Sequence, residues 1–313
     1  MAGKTVFMFS GQGSQYYQMG RQLYDENPAF HAAMARLDAV ALAQTRHSVV
    51  EAIYSSNKSE LFDQVLYTHP AIFMVEYAMA QCLIDAGIEP DMTLGASMGS
   101  FAAAAVAGYI TPEDAMAAVL EQARAFLASC RRGGMLAVVA EPALYDEPFM
   151  RARSEMVGVN FDSHFAVSGA QHDLAEIEGT LSQRGLTHQR LAVAFAFHSP
   201  AIDPAEEPFN KFMRSITLKR GALPMVCCEQ GATLTDLPDD FFWRVVRRPM
   251  QFHDTIGHLE RDGPHRYIDV GPSGTLATFV KYGLPKSSRS TAHPVLTPYG
   301  RDSKNLAALL AHP

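Results

Sequence analysis

A serine lies between two glycines in the segment Gly95-Ala96-Ser97-Met98-Gly99. The short apolar run at 92–94 predicts a buried strand before it, and the alanine-rich run at 100–107 predicts a buried helix after it. A serine in such a tight strand-to-helix turn has its hydroxyl pushed into a cleft, and the helix N-terminus offers backbone N–H groups to an oxyanion. The segment therefore predicts a nucleophile at Ser97. A packing turn of small residues is the alternative.

Two glycine-rich loops could also carry chemistry. The loop at 11–15 follows a buried apolar run at 6–9, but the third glycine of a dinucleotide fingerprint would fall at Tyr16. We interpret it instead as a loop that delivers Gln12 and its backbone N–H to a site. The loop at 271–274 lacks the Lys-Ser/Thr pair of a phosphate-binding loop, so we interpret it as a structural turn.

These candidates must be positioned by the elements around them. Apolar spacing predicts helices at about 28–40 and at 70–86, the second ending before Gly87. A further helix should begin at Thr111, because Thr111 is a good cap, Pro112 suits the first turn and Asp114 occupies the capping-box position. That helix should extend to about residue 130.

The segment 134–196 has a different pattern from the rest of the chain. Strand-like runs at 136–139, 157–161, 164–168 and 189–194 surround a helical run at 173–185. This order fits a β-α-β-β-α-β module. We therefore predict an α/β fold in which residues 1–133 and 197–313 form a large subdomain with a parallel sheet and residues 134–196 form a small inserted one.

Composition and charge limit the function classes. Apolar residues make up 48% of the 313 residues, which excludes a disordered or fibrous chain. A net charge of -7 argues against a general nucleic-acid or anionic-membrane binder. The four cysteines have no metal-ligand spacing and are interpreted as reduced thiols, and no run is long enough to cross a membrane. We expect a cytoplasmic protein without a metal or redox cofactor.

Five motifs occur in a characteristic order along residues 4–285. They are Gly11-Gln12-Gly13-Ser14-Gln15, Gly95-x-Ser97-x-Gly99, Phe197-His198-Ser199, Arg248-Pro249-Met250-Gln251-Phe252 and Val270-Gly271-Pro272-Ser273-Gly274. In this order the chain resembles the malonyl-CoA:acyl carrier protein transacylases and the acyltransferase domains of polyketide synthases. The resemblance implies an α/β-hydrolase-like large subdomain and a ferredoxin-like small one.

The resemblance also implies a mechanism. Ser97 would attack a thioester to form an acyl-enzyme, and His198 would take the serine proton and return it to the leaving thiol. The backbone N–H groups of Gln12 and Met98 would form the oxyanion hole, and the backbone carbonyl of Arg248 would orient the histidine. A histidine that is merely hydrogen-bonded in the core is the alternative for His198.

One departure from the family concerns charge. Malonyl-type enzymes have an arginine on the helix after the nucleophile that pairs with the free carboxylate, and ungapped counting from Ser97 places Gln122 there. Arg124 lies about 200° further around the helix and should point elsewhere. We therefore expect malonyl transfer to be disfavoured, uncharged acyl groups to be favoured, and Gln122→Arg to raise tolerance for malonyl groups.

A second departure concerns the nucleophile turn. Ala96 replaces the usual histidine and Ser100 the usual glutamate, so both changes remove polar groups near Ser97. Phe197, in contrast, belongs to a motif close to that of malonyl-selective domains. We give Gln122 more weight because it concerns the charge itself, whereas Phe197 only shapes the pocket.

Together, the Gly-Ala-Ser-x-Gly turn and Gln122 resemble the acyl hydrolase branch of trans-acyltransferase polyketide synthases, whose members remove stalled acyl groups from acyl carrier proteins. Three alternatives remain open: an acyltransferase that moves malonyl or a monocarboxylic acyl group from CoA to the carrier protein, a non-catalytic docking subunit, and an unrelated serine esterase. The expected substrate carrier is a phosphopantetheine arm on the carrier protein or CoA.

The expected partner is an acidic acyl carrier protein, and the chain itself is expected to be a monomer. Arg131, Arg132, Arg247 and Arg248 are candidates for docking that partner, with a solvated surface role as the alternative for each.

Overall fold

The computed structural model describes residues 3–311. Ten strands occur in this part of the chain: β1 (Lys4–Phe9), β2 (Met92–Gly95), β3 (Gly134–Val138), β4 (Glu155–Phe161), β5 (His164–Gly169), β6 (His188–Arg190), β7 (Met225–Cys227), β8 (Ala232–Leu234), β9 (His265–Asp269) and β10 (Thr291–Pro294).

Helices account for most of the remaining described residues. They are α1 (Arg21–Glu26), α2 (Pro28–Thr45), α3 (Val49–Tyr54), α4 (Val65–Asp85), α5 (Gly99–Val106), α6 (Pro112–Ser129), α7 (Pro148–Arg151), α8 (Gln171–Gln183), α9 (Glu206–Met213), α10 (Phe241–Arg247), α11 (Phe252–Arg261), α12 (Thr275–Gly283) and α13 (Asp302–Leu310). Two short 3₁₀ helices occur at Pro142–Asp146 and Pro200–Ala205.

The large subdomain is built on a six-stranded sheet of order β10-β9-β1-β2-β7-β8, parallel except for β8. Alternate residues of β1 enter two different cores, with Phe7 and Phe9 on one face and Val6 and Met8 on the other. A sheet covered on both faces explains why this strand is a continuous apolar run. The predicted fold class is confirmed.

The small subdomain is a four-stranded antiparallel sheet of order β4-β5-β3-β6, with α7 and α8 completing the β-α-β-β-α-β order of a ferredoxin-like module. Its sheet spans residues 134–190, inside the predicted range 134–196. The backbone N–H of Met250 bonds to the carbonyl of Val157 at 2.7 Å and joins this sheet to the large subdomain.

The local sequence rules predicted the start of α6 correctly and the start of α4 wrongly. Thr111 caps α6 as predicted, since its Oγ1 accepts the backbone N–H of Asp114 at 3.1 Å. The prediction that α4 begins at Pro70 is wrong, because the helix begins at Val65 and contains Pro70. A proline inside a helix forgoes the bond to the carbonyl four residues earlier, here Leu66, and the packing of a helix buried over most of its length outweighs that loss. No helix among residues 3–311 is both long and apolar enough to cross a membrane.

Candidate active site

The turn that carries Ser97 connects β2 to α5 at the carboxyl end of the large sheet. Ser97 has a φ of 54°, in the left-handed region that few non-glycine residues adopt. A Cβ added to Gly99 would lie 2.2 Å from the carbonyl oxygen of Phe9, and one added to Gly95 would lie 2.5 Å from the Cα of Ser100. The two glycines therefore allow the close approach of β1, β2 and α5 that holds the serine in this turn.

Ser97 is hydrogen-bonded to a buried histidine. The Oγ of Ser97 lies 2.8 Å from the Nε2 of His198, and the Nδ1 of His198 lies 2.6 Å from the backbone carbonyl of Arg248. A carbonyl can only accept, so Nδ1 carries the ring proton and Nε2 accepts the proton of the serine hydroxyl. The predicted pairing of Ser97, His198 and the Arg248 carbonyl is thus the arrangement in the structure.

The protonation state of His198 suits a base. The side chain is 2% exposed, and burial lowers its pKa to about 4 although the Arg248 carbonyl favours the charged form. The nearby Arg247 guanidinium lowers this pKa further. His198 is therefore neutral at pH 7 and able to accept the proton of Ser97.

Two backbone N–H groups near Ser97 have no hydrogen-bond acceptor among the described residues. The N–H groups of Gln12 and Met98 donate no hydrogen bond to any residue of 3–311, whereas the neighbouring N–H of Gly13 bonds to the Oε1 of Gln15 at 2.8 Å. Met98 directly follows Ser97, and a Cβ added to Gly11 would lie 3.0 Å from the Cβ of Ser97. This placement supports the predicted oxyanion hole.

A cavity of about 510 Å³ opens at the serine, between the two sheets. Gln12, Ala96, Ser97, Phe197 and His198 line it, together with apolar residues of the small sheet and polar residues of the 273–279 segment. None of the described residues that line this cavity is Asp, Glu, Lys or Arg. The space beside Ser97 is therefore formed by uncharged side chains.

Gln122 does not line this cavity. Its side chain is fully buried on α6, where Nε2 donates to the backbone carbonyl of Phe242 at 3.4 Å and Oε1 has no partner among the described residues. One turn further along α6, the ring of Phe126 packs 5.2 Å from that of Phe197. The predicted contact of Gln122 with substrate therefore stays a prediction, and in this structure the amide lies outside the lining.

Two buried titratable residues near the site were missed in the sequence. His69 is 1% exposed on α4, and its Nδ1 lies 2.5 Å from the amide Nε2 of Gln12. Glu76, on the same helix, accepts the backbone N–H and the hydroxyl of Ser10 at 2.6 Å and 2.8 Å. The available signal was a histidine and a glutamate in an otherwise apolar helical run.

The arginines predicted to dock a partner lie in different environments. Arg131 and Arg132 are exposed. Arg247 forms an ion pair with Asp203, and Arg248 lies 3.7 Å from Glu229.

Comparison with known proteins assigns the chain to a family. The family model described as an acyl transferase domain matches residues 6–312. The chain belongs to the acyl transferase family. This member is 44% identical over 304 residues to the polyketide biosynthesis acyltransferase homolog PksD of Bacillus subtilis, and 42% identical over 304 residues to the homolog BaeD of Bacillus velezensis. Each alignment covers 96% of this chain and 94% of the relative.

Solved structures agree with the family assignment. The acyltransferase domain from the second module of the salinomycin polyketide synthase is 30% identical with a TM-score of 0.86, over 98% of this chain and 72% of that one. A structure named MCAT from Streptococcus pneumoniae is 25% identical with a TM-score of 0.80, over 99% and 100% of the two chains. The resemblance that the five motifs indicated is confirmed at the level of the family.

Proposed function

We propose that this acyl transferase family member is a trans-acting acyl hydrolase of polyketide biosynthesis that cleaves acyl groups from acyl carrier protein thioesters through an acyl-enzyme at Ser97. The observation that carries the proposal is the cavity beside Ser97, whose described lining has no charged side chain. Such a lining suits an acyl group that is itself uncharged.

The energetic argument concerns a dicarboxylic acyl group. A malonyl carboxylate buried in this cavity would have no guanidinium or ammonium among the described lining residues, and Gln122 offers at most a neutral amide. Leaving such a carboxylate unpaired costs about 2–5 kcal/mol, which is roughly 30- to 4000-fold in binding. Acetyl, propionyl or longer uncharged groups meet no such penalty.

The reaction consists of two steps. In the first, the Oγ of Ser97 attacks the thioester carbonyl carbon, Nε2 of His198 takes the hydroxyl proton, and the C–S bond breaks as that proton passes to the thiolate. In the second, His198 takes a proton from water, the hydroxide oxygen attacks the acyl carbon, and the proton returns to Ser97 as the free acid leaves. The N–H groups of Gln12 and Met98 would stabilise the oxyanion in both steps.

Hydrolysis and transfer share the acyl-enzyme and differ in the second acceptor. The Ala96 turn and Gln122 favour hydrolysis, because both resemble the hydrolase branch. The relatives PksD and BaeD are named acyltransferase homologs, which does not distinguish hydrolysis from transfer. Transfer of malonyl or a monocarboxylic group from CoA is the second candidate. Phe197 favours it, because this residue lines the cavity and belongs to a motif close to that of malonyl-selective domains. An unrelated serine esterase would need a carboxylate hydrogen-bonded to Nδ1 of His198. That nitrogen is bonded instead to the backbone carbonyl of Arg248, which disfavours this alternative.

The deciding experiment uses two separate reactions followed by intact mass spectrometry. Acetyl-carrier protein with this enzyme should yield acetate and free holo-carrier protein, and Ser97→Ala should release neither. Malonyl-CoA with holo-carrier protein should leave the carrier unloaded. Rapid malonyl loading without release of free acid would contradict the hydrolase proposal, and full activity of Ser97→Ala would contradict the whole catalytic account.

The proposed partner is an acidic acyl carrier protein, and the proposed setting is the cytoplasm with the chain as a monomer. Arg131, Arg132 and Arg248 are the exposed candidates for docking it. Arg247 is engaged with Asp203, so its contribution to docking would be smaller.

A further inference from the structure

Two polar residues of the small subdomain, Asn160 and His164, line the cavity. Asn160 ends β4 with Phe161, and His164 begins β5 after a two-residue turn. The amide Nδ2 of Asn160 lies 2.9 Å from the Nδ1 of His164. The reaction proposed above assigns neither residue a role.

The hydrogen bond between these side chains determines which ring nitrogen carries the proton. An amide nitrogen can only donate, so Nδ1 of His164 accepts and the neutral ring carries its proton on Nε2. Burial lowers the pKa of His164, which favours this neutral form. Neither Nε2 of His164 nor Oδ1 of Asn160 has a hydrogen-bond partner in the described part of the chain.

Packing holds the pair in place. The imidazole of His164 stacks on the ring of Phe161 with centroids 5.2 Å apart, and its centroid lies 5.0 Å from that of Phe279, which also lines the cavity. Asn160 is 7% exposed. The pair therefore presents one N–H donor and one carbonyl acceptor side by side, with little freedom to rearrange.

We propose that Asn160 and His164 bind a secondary amide of the thioester substrate. The amide carbonyl would accept from Nε2–H of His164, and the amide N–H would donate to Oδ1 of Asn160. A carboxylate fits poorly, because it would face the Asn160 oxygen, and an ammonium would face the Nε2 proton. The inference rests on the proposed function, since it takes a thioester as the ligand.

Two sources could supply such an amide. The arm of pantetheine has amide groups along its length, and an acyl chain derived from an amino acid also has them. Both present the same donor and acceptor to the pair. The test therefore separates them with substrates that have an amide in the arm, in the acyl group or in neither.

The experiment measures kcat/KM for thiol release from three small thioesters: S-propyl thioacetate without an amide, acetyl-pantetheine with amides in the arm, and the S-propyl thioester of N-acetylglycine with one in the acyl group. We expect at least one amide substrate to exceed S-propyl thioacetate by about tenfold, which corresponds to one or two neutral hydrogen bonds. A preference for acetyl-pantetheine assigns the carrier arm, and one for the N-acetylglycine thioester assigns the acyl chain.

Two variants test whether the pair causes that preference. His164→Phe keeps the aromatic packing and removes the donor. Asn160→Asp can only accept, so it would draw the ring proton to Nδ1 and turn Nε2 into an acceptor. Each should reduce the preference to about twofold or less. His188→Phe, on the edge strand β6 of the same sheet and outside the cavity lining, should retain it.

The outcomes separate this inference from the function on which it rests. If thioesters acylate Ser97 but the preference survives in His164→Phe and Asn160→Asp, or is absent from the unmodified protein, the amide site is wrong and the proposed function stands. If no thioester acylates Ser97 at all, the proposed function is wrong, and the amide site with it.

Discussion

Ser97 and His198 meet at 2.8 Å, and both have a backbone φ in the left-handed region, 54° and 61° respectively. Non-glycine residues held there cost on the order of 1–3 kcal/mol each, so the surrounding structure must hold them. Around Ser97 the close contact of Gly99 with the Phe9 carbonyl does this, and the N–H of His198 bonds to the carbonyl of Val246 at 3.0 Å. The pair is thus pre-oriented before any substrate binds.

Replacing either member of the pair should abolish acyl-enzyme formation. Ser97→Ala removes the attacking oxygen, and His198→Ala removes the base that accepts its proton. Intact mass spectrometry after incubation with acetyl-pantetheine should find the adduct in the unmodified protein and in neither variant. An adduct in Ser97→Ala would reveal a different nucleophile.

The pH dependence of acylation should follow His198. The base acts only when neutral, and its pKa is lowered to about 4, so the rate should be nearly constant from about pH 5.5 to about pH 8 and fall as pH decreases through about 4. Acylation by a short thioester, measured over this range with folding checked by circular dichroism, gives the profile. A midpoint near the ordinary histidine value would contradict the assignment.

Gln122→Arg should have two separate effects. It places a guanidinium in a fully buried position with no carboxylate partner among the described residues, which should lower the free energy of unfolding by about 3 kcal/mol or more. We also expect its longer side chain to reach the cavity and to raise the ratio of malonyl to acetyl acylation.

Gln122→Met is the matched control for that substitution. It removes the unpartnered Oε1 together with the long 3.4 Å hydrogen bond from Nε2 to the Phe242 carbonyl and adds no charge, so we expect a small change in stability and an unchanged ratio. An unchanged ratio in Gln122→Arg would remove position 122 from the specificity argument.

His69→Phe tests whether the contact with Gln12 supports the loop at 11–15, whose Gln12 N–H we propose as an oxyanion donor. The phenyl ring keeps the packing against Phe126 and Phe197 but offers no acceptor to the Gln12 amide. Loss of one hydrogen bond should lower kcat for acylation by about 2- to 13-fold with little change in KM. The exposed His172→Phe is the control, and a loss of thermal stability without any change in kcat would reduce His69 to a packing role.

Glu76→Gln should remove one titrating group from the pH dependence of stability. Burial raises the pKa of Glu76 well above its ordinary value of 4.5, with Asp269 adding to the effect, so in the folded protein this carboxyl resists ionisation that it undergoes freely when unfolded. The contribution of Glu76 to stability therefore falls as pH rises above 4.5 towards its folded pKa, by about 1.4 kcal/mol per pH unit. Glutamine does not titrate.

Chemical denaturation of wild-type and Glu76→Gln proteins at several pH values gives this comparison. The stability of the variant relative to wild type should increase with pH, and that of the exposed Glu89→Gln should not. A difference that stays constant with pH would mean that Glu76 is already ionised in the folded protein.

The features that sequence reasoning predicted depend on neighbouring residues. The turn at Ser97, the capped start of α6 and the alternation of strands and helices in 134–196 are set by residues within a few positions of one another, where steric and hydrogen-bonding rules act directly. The start of α4 was mispredicted because its packing against the core outweighed a local rule about Pro70.

The sequence by itself thus determined the glycine-flanked turn at Ser97, the layered α/β class with its insertion and, through five ordered motifs, the acyl transferase family. Only the tertiary structure decided that Gln122 lies outside the cavity lining, that His69 contacts Gln12, and that Asn160 and His164 line the cavity as a bonded pair. The physical reason is that a side chain's burial and its partners depend on the packing of elements far apart in the chain, which neither residue type nor local spacing determines.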